Sequence, residues 1–225
     1  MRDEFILANY DSSKGGDKYY FDALEADTAC EFFTTFLTHV KGKIAGQKYD
    51  LYDGNGWMAK MIRNVYGWKY KDTKLRRYRK VYLTCGRKNS KSTLGAGIAL
   101  LNLLFDQEPS AEVYSVASSR DQARLIFDIC SQMVRNSSHL SKVLDVQRSA
   151  IILKSSASSY KVLSAEHNTL HGLNASCVLF DELHCQKNRD LYEVMLTSQA
   201  SRKQPLLFSF TTAGSDRDSI CYDVH

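Results

Sequence analysis

Proline is almost absent from this chain: Pro109 and Pro205 are its two examples among 225 residues. No proline-rich linker therefore separates its elements. Long apolar runs are missing as well, and none approaches the roughly 20 residues that span a bilayer. The opening segment, MRDEFILANYDSSKGG, surrounds a short apolar patch with acids, a pattern unlike a signal peptide. Cysteine is present but unorganised. Cys30, Cys85, Cys130, Cys177, Cys185 and Cys221 form no C-x-x-C pair and are too sparse for a disulfide scaffold. They read as reduced thiols of a cytosolic chain.

Apolar residues make up 44% and charged residues 24%, which suits a water-soluble globular domain rather than a disordered or membrane chain. The length suits one large domain, or a domain with an N-terminal extension. Net charge is +5, and basic residues gather in KYKDTKLRRYRK at 69–80. That cluster suits a nucleic-acid neighbour, and equally a solvated basic face.

Periodicity divides the chain in two. Residues 1–16 are polar and end in glycine, the composition of a poorly ordered start. Over 18–40, Phe21, Leu24, Phe32, Phe33, Phe36 and Leu37 recur at helical spacing, and 41–47 breaks the pattern. A second helix is predicted over 56–66, carrying Trp57, Met61, Ile62 and Val65. Beyond the basic cluster, short β-type runs alternate with helical ones. Strands are predicted at 79–85, 111–118, 175–182 and 205–212, and helices at 91–105, 121–134 and 190–201. Residues 150–155 and 160–165 suggest a hairpin. Such alternation implies an α/β fold, a mostly parallel, doubly wound sheet flanked by helices with an N-terminal helical extension.

The segment YLTCGRKNSKSTLGAGIALL joins a strand to a helix through a turn that ends in Lys91 and Ser92. A phosphate-binding loop needs that order. Backbone N–H groups wrap an anion, a lysine ammonium meets the β- and γ-phosphates, and a hydroxyl meets Mg²⁺ at the helix N-terminus. Gly86, Arg87, Lys88, Asn89, Ser90, Lys91, Ser92 and Thr93 are the nucleotide-binding candidates. Glycine usually holds the first and sixth positions of such a loop, which here are Cys85 and Ser90, and Gly86 sits one place late. The sixth matters more, because glycine adopts backbone angles that serine reaches only at a cost. Taken alone, the segment also fits a core loop with an incidental lysine.

A second signal is the apolar run CVLF followed by Asp181 and Glu182. In nucleotide hydrolases an acid at such a strand end holds Mg²⁺, and the next acid orients the attacking water. A strand capped by solvated acids has the same appearance. The distance from Lys91, with other strands between, suits a sheet in which one strand separates the two motif strands. A third segment, SFTTAG, ends the next strand; Thr211 and Thr212 are the candidates for sensing a γ-phosphate, and alone the segment is equally a strand end with a turn.

Together these segments resemble the large terminase subunits of tailed bacteriophages, in their N-terminal ATPase motor domain. The resemblance runs from about Tyr19 to the C-terminus. It rests on GWKYKDTKLRRYRKVYLTCGRKNSKS, VYSVASSRDQARLIFD, LHGLNASCVLFDELH and SFTTAG in that order. It implies a P-loop NTPase fold of the ASCE/RecA-like kind, with ATP and Mg²⁺ as cofactors. It further implies a motor that couples ATP hydrolysis to translocation of double-stranded DNA into a procapsid. The implied partners are the small terminase subunit and the portal protein. The implied assembly is a homo-oligomeric ring, monomeric in isolation, in the bacterial host cytoplasm and away from any membrane.

Arg87, Lys88, Asn89, Lys91 and Ser92 match the family's Arg-Lys-Asn-Gly-Lys-Ser loop, with Ser90 in the place of the glycine. The resemblance assigns Lys91, Arg87 and Glu182 to catalysis, Arg87 as a charge stabiliser. It assigns Ser92 and Asp181 to the metal, and Thr211, Thr212 and Ala213 to coupling. Residues 171–174, His-Gly-Leu-Asn, match a family segment with no chemical role assigned. Upstream, the family carries a Trp-Gln pair whose glutamine reads adenine. Here Trp57 keeps the first position and Met58 replaces the second, so Trp57 is left to stack on the base while the thioether cannot form the paired hydrogen bonds of an amide.

The domain division that follows is a disordered start over 1–16, a helical adenine-side segment over 17–75, and an ATPase core over 76–225. The family's C-terminal nuclease is not expected, because Asp216, Asp218 and Asp223 lie in a short polar tail without strands. On this reading the chain is an excised motor domain or a truncated gene product.

Other groups carry weaker signals. His167, His171, His184 and Cys185 lack a four-ligand zinc spacing and suit surface or supporting roles. Cys85 has no histidine placed to activate it and suits a small buried residue. Arg120 and Arg124 begin an amphipathic helix and either face solvent or aim at phosphates. Two rival readings remain beside the motor. One is a degenerate or truncated prophage remnant that binds DNA or packaging partners without ATP turnover. The other is a P-loop helicase, for which no motif beyond the shared core is present.

Overall fold

The computed structural model of the protein describes residues 16–53, 56–86, 89–106, 108–164, 172–185, 189–212 and 220–224. The opening segment expected to be disordered lies outside them up to residue 15. After a single helical turn at Gly16–Lys18 come β1 (Tyr19–Phe21), α1 (Ala23–Phe36), α2 (Trp57–Gly67), β2 (Trp68–Tyr70) and β3 (Lys80–Thr84). Then follow α3 (Lys91–Phe105), β4 (Glu112–Ala117), α4 (Arg120–Asn136), α5 (Leu140–Val143), β5 (Leu144–Val146), β6 (Ala150–Leu153) and β7 (Ser159–Ser164). The chain ends with β8 (Cys177–Phe180), a helical turn at Leu183–Cys185, α6 (Asp190–Thr197), β9 (Leu206–Thr211) and α7 (Ile220–Val224).

The main sheet has the order β3-β9-β8-β4-β7-β6-β5. Its first five strands run parallel, and β6 and β5 add an antiparallel edge. The expected separation of the two motif strands is present, because β9 lies between β3 and β8. Strands buried on both faces need apolar side chains on both, and the runs CVLF and LLFSFT supply them. Cys177, Leu179, Leu206 and Phe208 face one hydrophobic cluster with α1, α2, α3 and α4. Val178, Phe180 and Leu207 face a second cluster with α6 and α7. The result is three layers, helices over both faces of one sheet.

Helix α3 is apolar on most sides because it is enclosed on most sides. A methyl added at Gly95 would lie 3.2 Å from Ile126 Cδ1 on α4 and 3.3 Å from Phe210 Cε2 on β9. On another side, a methyl added at Gly97 would run into the ring of Phe33 on α1. The two small residues let three neighbours approach one helix.

Three short strands are missing from the sequence-based expectation. The helix predicted over 18–40 begins later, because Asp22 caps it: Oδ1 accepts from the Glu25 N–H at 3.1 Å. Tyr19–Phe21 instead pairs antiparallel with Trp68–Tyr70. Strand β2 lies inside the basic cluster, where charge conceals its pattern, and β5 is too short to show a period. The helix predicted over 190–201 ends at Thr197.

The basic cluster is engaged within the molecule. Arg76 makes a bidentate pair with Asp106, 2.9 and 3.0 Å, and donates to the Gln204 carbonyl at 2.6 Å. Lys69 meets Glu25 and Asp22. The Arg77 guanidinium lies 4.0 Å above the Tyr19 ring, and Arg79 donates to the Lys203 carbonyl at 2.9 Å. Arg77 thus reaches the N-terminal strand, while Arg76 and Arg79 fasten the entry to β3 to the end of α3 and to the turn before β9.

Candidate active site

Parallel strands present their C-terminal ends along one edge, and the loops that follow them meet there. Register places Thr84 of β3 beside Thr211 of β9, and Phe180 of β8 beside Ser209. The Cys85 N–H donates to the Thr211 carbonyl at 3.2 Å, which fixes the start of the lysine loop against the tip of β9. Asp181 follows β8 directly, held by its N–H to the Val116 carbonyl at 2.9 Å.

The last residue of the loop takes the backbone that glycine usually supplies there. Ser90 has φ +56° and ψ +22°, the left-handed conformation expected of glycine. Serine thus occupies the glycine position with the glycine backbone. The Ser90 carbonyl accepts from the Leu94 N–H at 2.8 Å and begins α3. The first-turn N–H groups of a helix have no intrahelical partner and point along its axis, a ready anion site. Asn89 Nδ2 donates to the Gly86 carbonyl at 3.1 Å across the loop. Ser92 and Thr93 are half-buried in the first turn. Arg87 and Lys88 lie outside the described residues.

Lys91 is buried, and its Nζ lies 3.3 Å from Glu182 Oε1 and 3.5 Å from the Cys85 carbonyl oxygen. Two motifs far apart along the chain therefore converge. Glu182 itself has φ +51°, a backbone angle rarely taken by a residue with a side chain. Its Oε2 accepts from the Thr212 N–H at 3.3 Å and lies 3.2 Å from His184 Nδ1. Thr211, fully buried, places Oγ1 3.0 Å from the same His184 nitrogen. The coupling candidates Thr211 and Thr212 thus touch the site. Ala213 lies outside the described residues, as do His167 and His171.

Burial pushes the Asp181 carboxyl up to about 6; the Glu182 charge adds to the rise and the Lys91 ammonium opposes it. A buried acid in this state gains from a cation of its own. The hard oxygen donors Asp181 and Ser92 fit Mg²⁺, which binds few protein oxygens and retains water. Burial also raises the Cys85 thiol, with Lys91 opposing, so this cysteine is a neutral packing group.

Trp57 opens α2 and is half-buried against the main core with Met58, whose sulfur accepts from the Tyr49 hydroxyl at 3.4 Å. Asn174, unassigned from sequence, ties the entry of β8 to the turn after α6. Its Oδ1 accepts from the Ser201 hydroxyl at 2.8 Å and its carbonyl from Arg202 Nη2 at 2.7 Å. The signal sequence reasoning underused is His184, two residues after the acid, which the fold turns back onto it.

A strand, a phosphate loop and a helix, with paired acids at the end of a strand two places away, define a P-loop nucleotide-binding fold. The model of the family described as "Terminase large subunit, ATPase domain" matches residues 56–225, and the chain belongs to that family. It is 32% identical over 144 residues to the large terminase subunit of Enterobacteria phage HK97, covering 61% of this chain and 29% of that protein. The crystal structure of the HK97 large terminase superposes with a TM-score of 0.72 at 24% identity, covering 87% of this chain and 39% of that one. A variant of the large terminase ATPase domain of Thermus phage P74-26 superposes with a TM-score of 0.50 at 20% identity, covering 61% of each chain. The chain thus spans well under half the length of the HK97 subunit. Among the described residues, no helix is long and apolar enough to cross a membrane.

Proposed function

We propose that this chain is the ATP-hydrolysing motor domain of a phage DNA-packaging terminase, which couples hydrolysis to movement of double-stranded DNA into a procapsid. The observation that carries the reading is the 3.3 Å approach of Lys91 Nζ to Glu182 Oε1 at the C-terminal edge of the sheet. Family membership and the left-handed Ser90 support it, since the serine takes the backbone angles of the glycine it replaces at the start of α3.

The chemistry is phosphoryl transfer to water. Loop N–H groups and the start of α3 bind the phosphates. Lys91 neutralises charge on the β- and γ-phosphates, and Arg87 adds to that charge. Ser92 and Asp181 would hold Mg²⁺, which supplies further neutralisation when bound. Glu182 orients the attacking water and accepts its proton. Thr211, Thr212 and Ala213 carry the change to the strand end, and Trp57 stacks on the base. Residues 17–75 form the adenine side and 76–225 the core. In the assembled motor the proposed partners are DNA, the small terminase subunit, the portal protein and further copies of this chain in a ring, in the host cytoplasm. Relatives continue beyond this domain, and DNA cutting is assigned to none of the residues present.

Lys91→Ala and Glu182→Gln test the assignment in an Mg²⁺-dependent phosphate-release assay. Both are expected to abolish turnover. The first also removes ATP affinity and the second retains it, because only the first strips charge from the phosphates. Hydrolysis at the wild-type rate in Lys91→Ala would exclude the motor reading.

A further inference from the structure

His184 belongs to the helical turn after the paired acids, and among the described residues its Nδ1 has two oxygen neighbours. Glu182 Oε2 is 3.2 Å away and Thr211 Oγ1 is 3.0 Å away. The position of one proton follows from its partners. The Thr211 hydroxyl lies 2.9 Å from the Thr212 carbonyl oxygen and donates its single proton there. The sulfur of Cys221, at 3.6 Å from Thr211 Oγ1, is the weaker alternative acceptor. An ionised carboxylate accepts only. With the Thr211 proton on the Thr212 carbonyl and an ionised Glu182, both neighbours of Nδ1 are acceptors, and the tautomer that serves them carries its proton on Nδ1. Nε2 then faces the Cys185 sulfur at 3.4 Å.

We propose that His184 is a positioning residue for hydrolysis, and that its single Nδ1–H is shared between the Glu182 carboxylate and the Thr211 hydroxyl. The orientation of the acid is thereby tied to the position of the strand end. The Thr212 N–H donates to the same carboxylate oxygen at 3.3 Å, so β9 reaches Glu182 both directly and through the imidazole. One donor cannot serve two acceptors at full strength. A displacement of the tip of β9 releases the N–H to the carboxylate, and a rotation of the carboxylate releases it to the threonine. The strand that separates β3 from β8 is thus linked to the group that orients water. The proposal rests on the reading of Glu182 as the water-orienting acid.

Two experiments on the full chain test it. In protein labelled with ¹⁵N-histidine, the ring nitrogens report where the proton resides, and His184→Asn assigns the resonance. A protonated Nδ1 is expected; a ring protonated at Nε2 alone overturns the proposal, whatever the activity. The second experiment is kinetic. Asparagine places an amide N–H where Nδ1 stood, glutamine places its amide near Nε2, and phenylalanine has no donor. His184→Asn is expected to stay within about threefold of wild-type kcat. His184→Gln and His184→Phe are expected to lose about tenfold in kcat, the value of one hydrogen bond to a charged group, with KM for ATP little changed. Equal losses in all three variants, or a KM effect alone, overturn it. If wild type and Lys91→Ala hydrolyse ATP equally, the catalytic reading fails, and the ring-nitrogen measurement still decides the proton assignment.

Discussion

Ser90 and Asp181 each depart from what water alone would favour, the first in backbone conformation and the second in proton affinity. For Ser90 the departure is a φ of +56°, a left-handed angle that disfavours side-chain residues by roughly 1 kcal/mol. Ser90→Gly is expected to raise the melting temperature slightly and preserve nucleotide affinity. Ser90→Val, β-branched and less tolerant of positive φ, is expected to lose that affinity in a calorimetric titration. For Asp181 the departure is a carboxyl raised to about 6. Its folded value lies above its unfolded value, so this group's contribution to stability is complete below the unfolded value of 3.8 and is lost as pH rises through about 6. Asp181→Asn removes the dependence. In chelator-containing buffer the variant is expected to exceed wild type by about 2–3 kcal/mol near pH 7.5, and the gap should close towards pH 4 in urea titrations.

Elements of this fold are placed by where small residues permit approach. Helix α3 carries Lys91, the proposed catalytic lysine, at its start and accepts α1 against its flank at Gly97. Phe33, whose ring an added methyl would meet, is fully buried. Gly97→Ala is expected to destabilise the chain by about 2 kcal/mol, the usual scale of overpacking. Phe33→Leu in the same chain should restore part of the loss, and a neutral Gly97→Ala in chemical denaturation would contradict the packing described. Helix α4 was legible because it repeats its amphipathic period several times, and α3, β8 and β9 because each is an apolar run between turn signals; all four stand close to their predicted bounds. β1, β2 and β5 span three residues each, fewer than two periods, and they exist because a partner strand supplies their hydrogen bonds.

The whole molecule shares one principal core between the N-terminal segment and the nucleotide-binding layers. Phe32, Phe33, Leu37, Tyr49 and Leu51 belong to the same cluster as Leu94, Ile98, Leu100 and the inner face of the sheet. A fragment beginning at residue 76 would expose that face of α3. It is expected to bind hydrophobic dyes and give a poorly dispersed amide spectrum, whereas a well-dispersed spectrum would show that the core needs no helical cover. The buried Arg76–Asp106 pair lies within that fragment and anchors the entry to β3 at the end of α3.

The order of strand, loop, helix and acidic strand was fixed along the chain, because each motif depends on residues a few positions apart. Local chemistry therefore sufficed to nominate Lys91, Ser92, Asp181 and Glu182. The fold alone decided three things: that β9 lies between the motif strands, that Ser90 adopts the backbone of the glycine it replaces, and that His184 turns back onto both Glu182 and Thr211. Each depends on contacts between segments distant in sequence, and no period or spacing within a single segment encodes them.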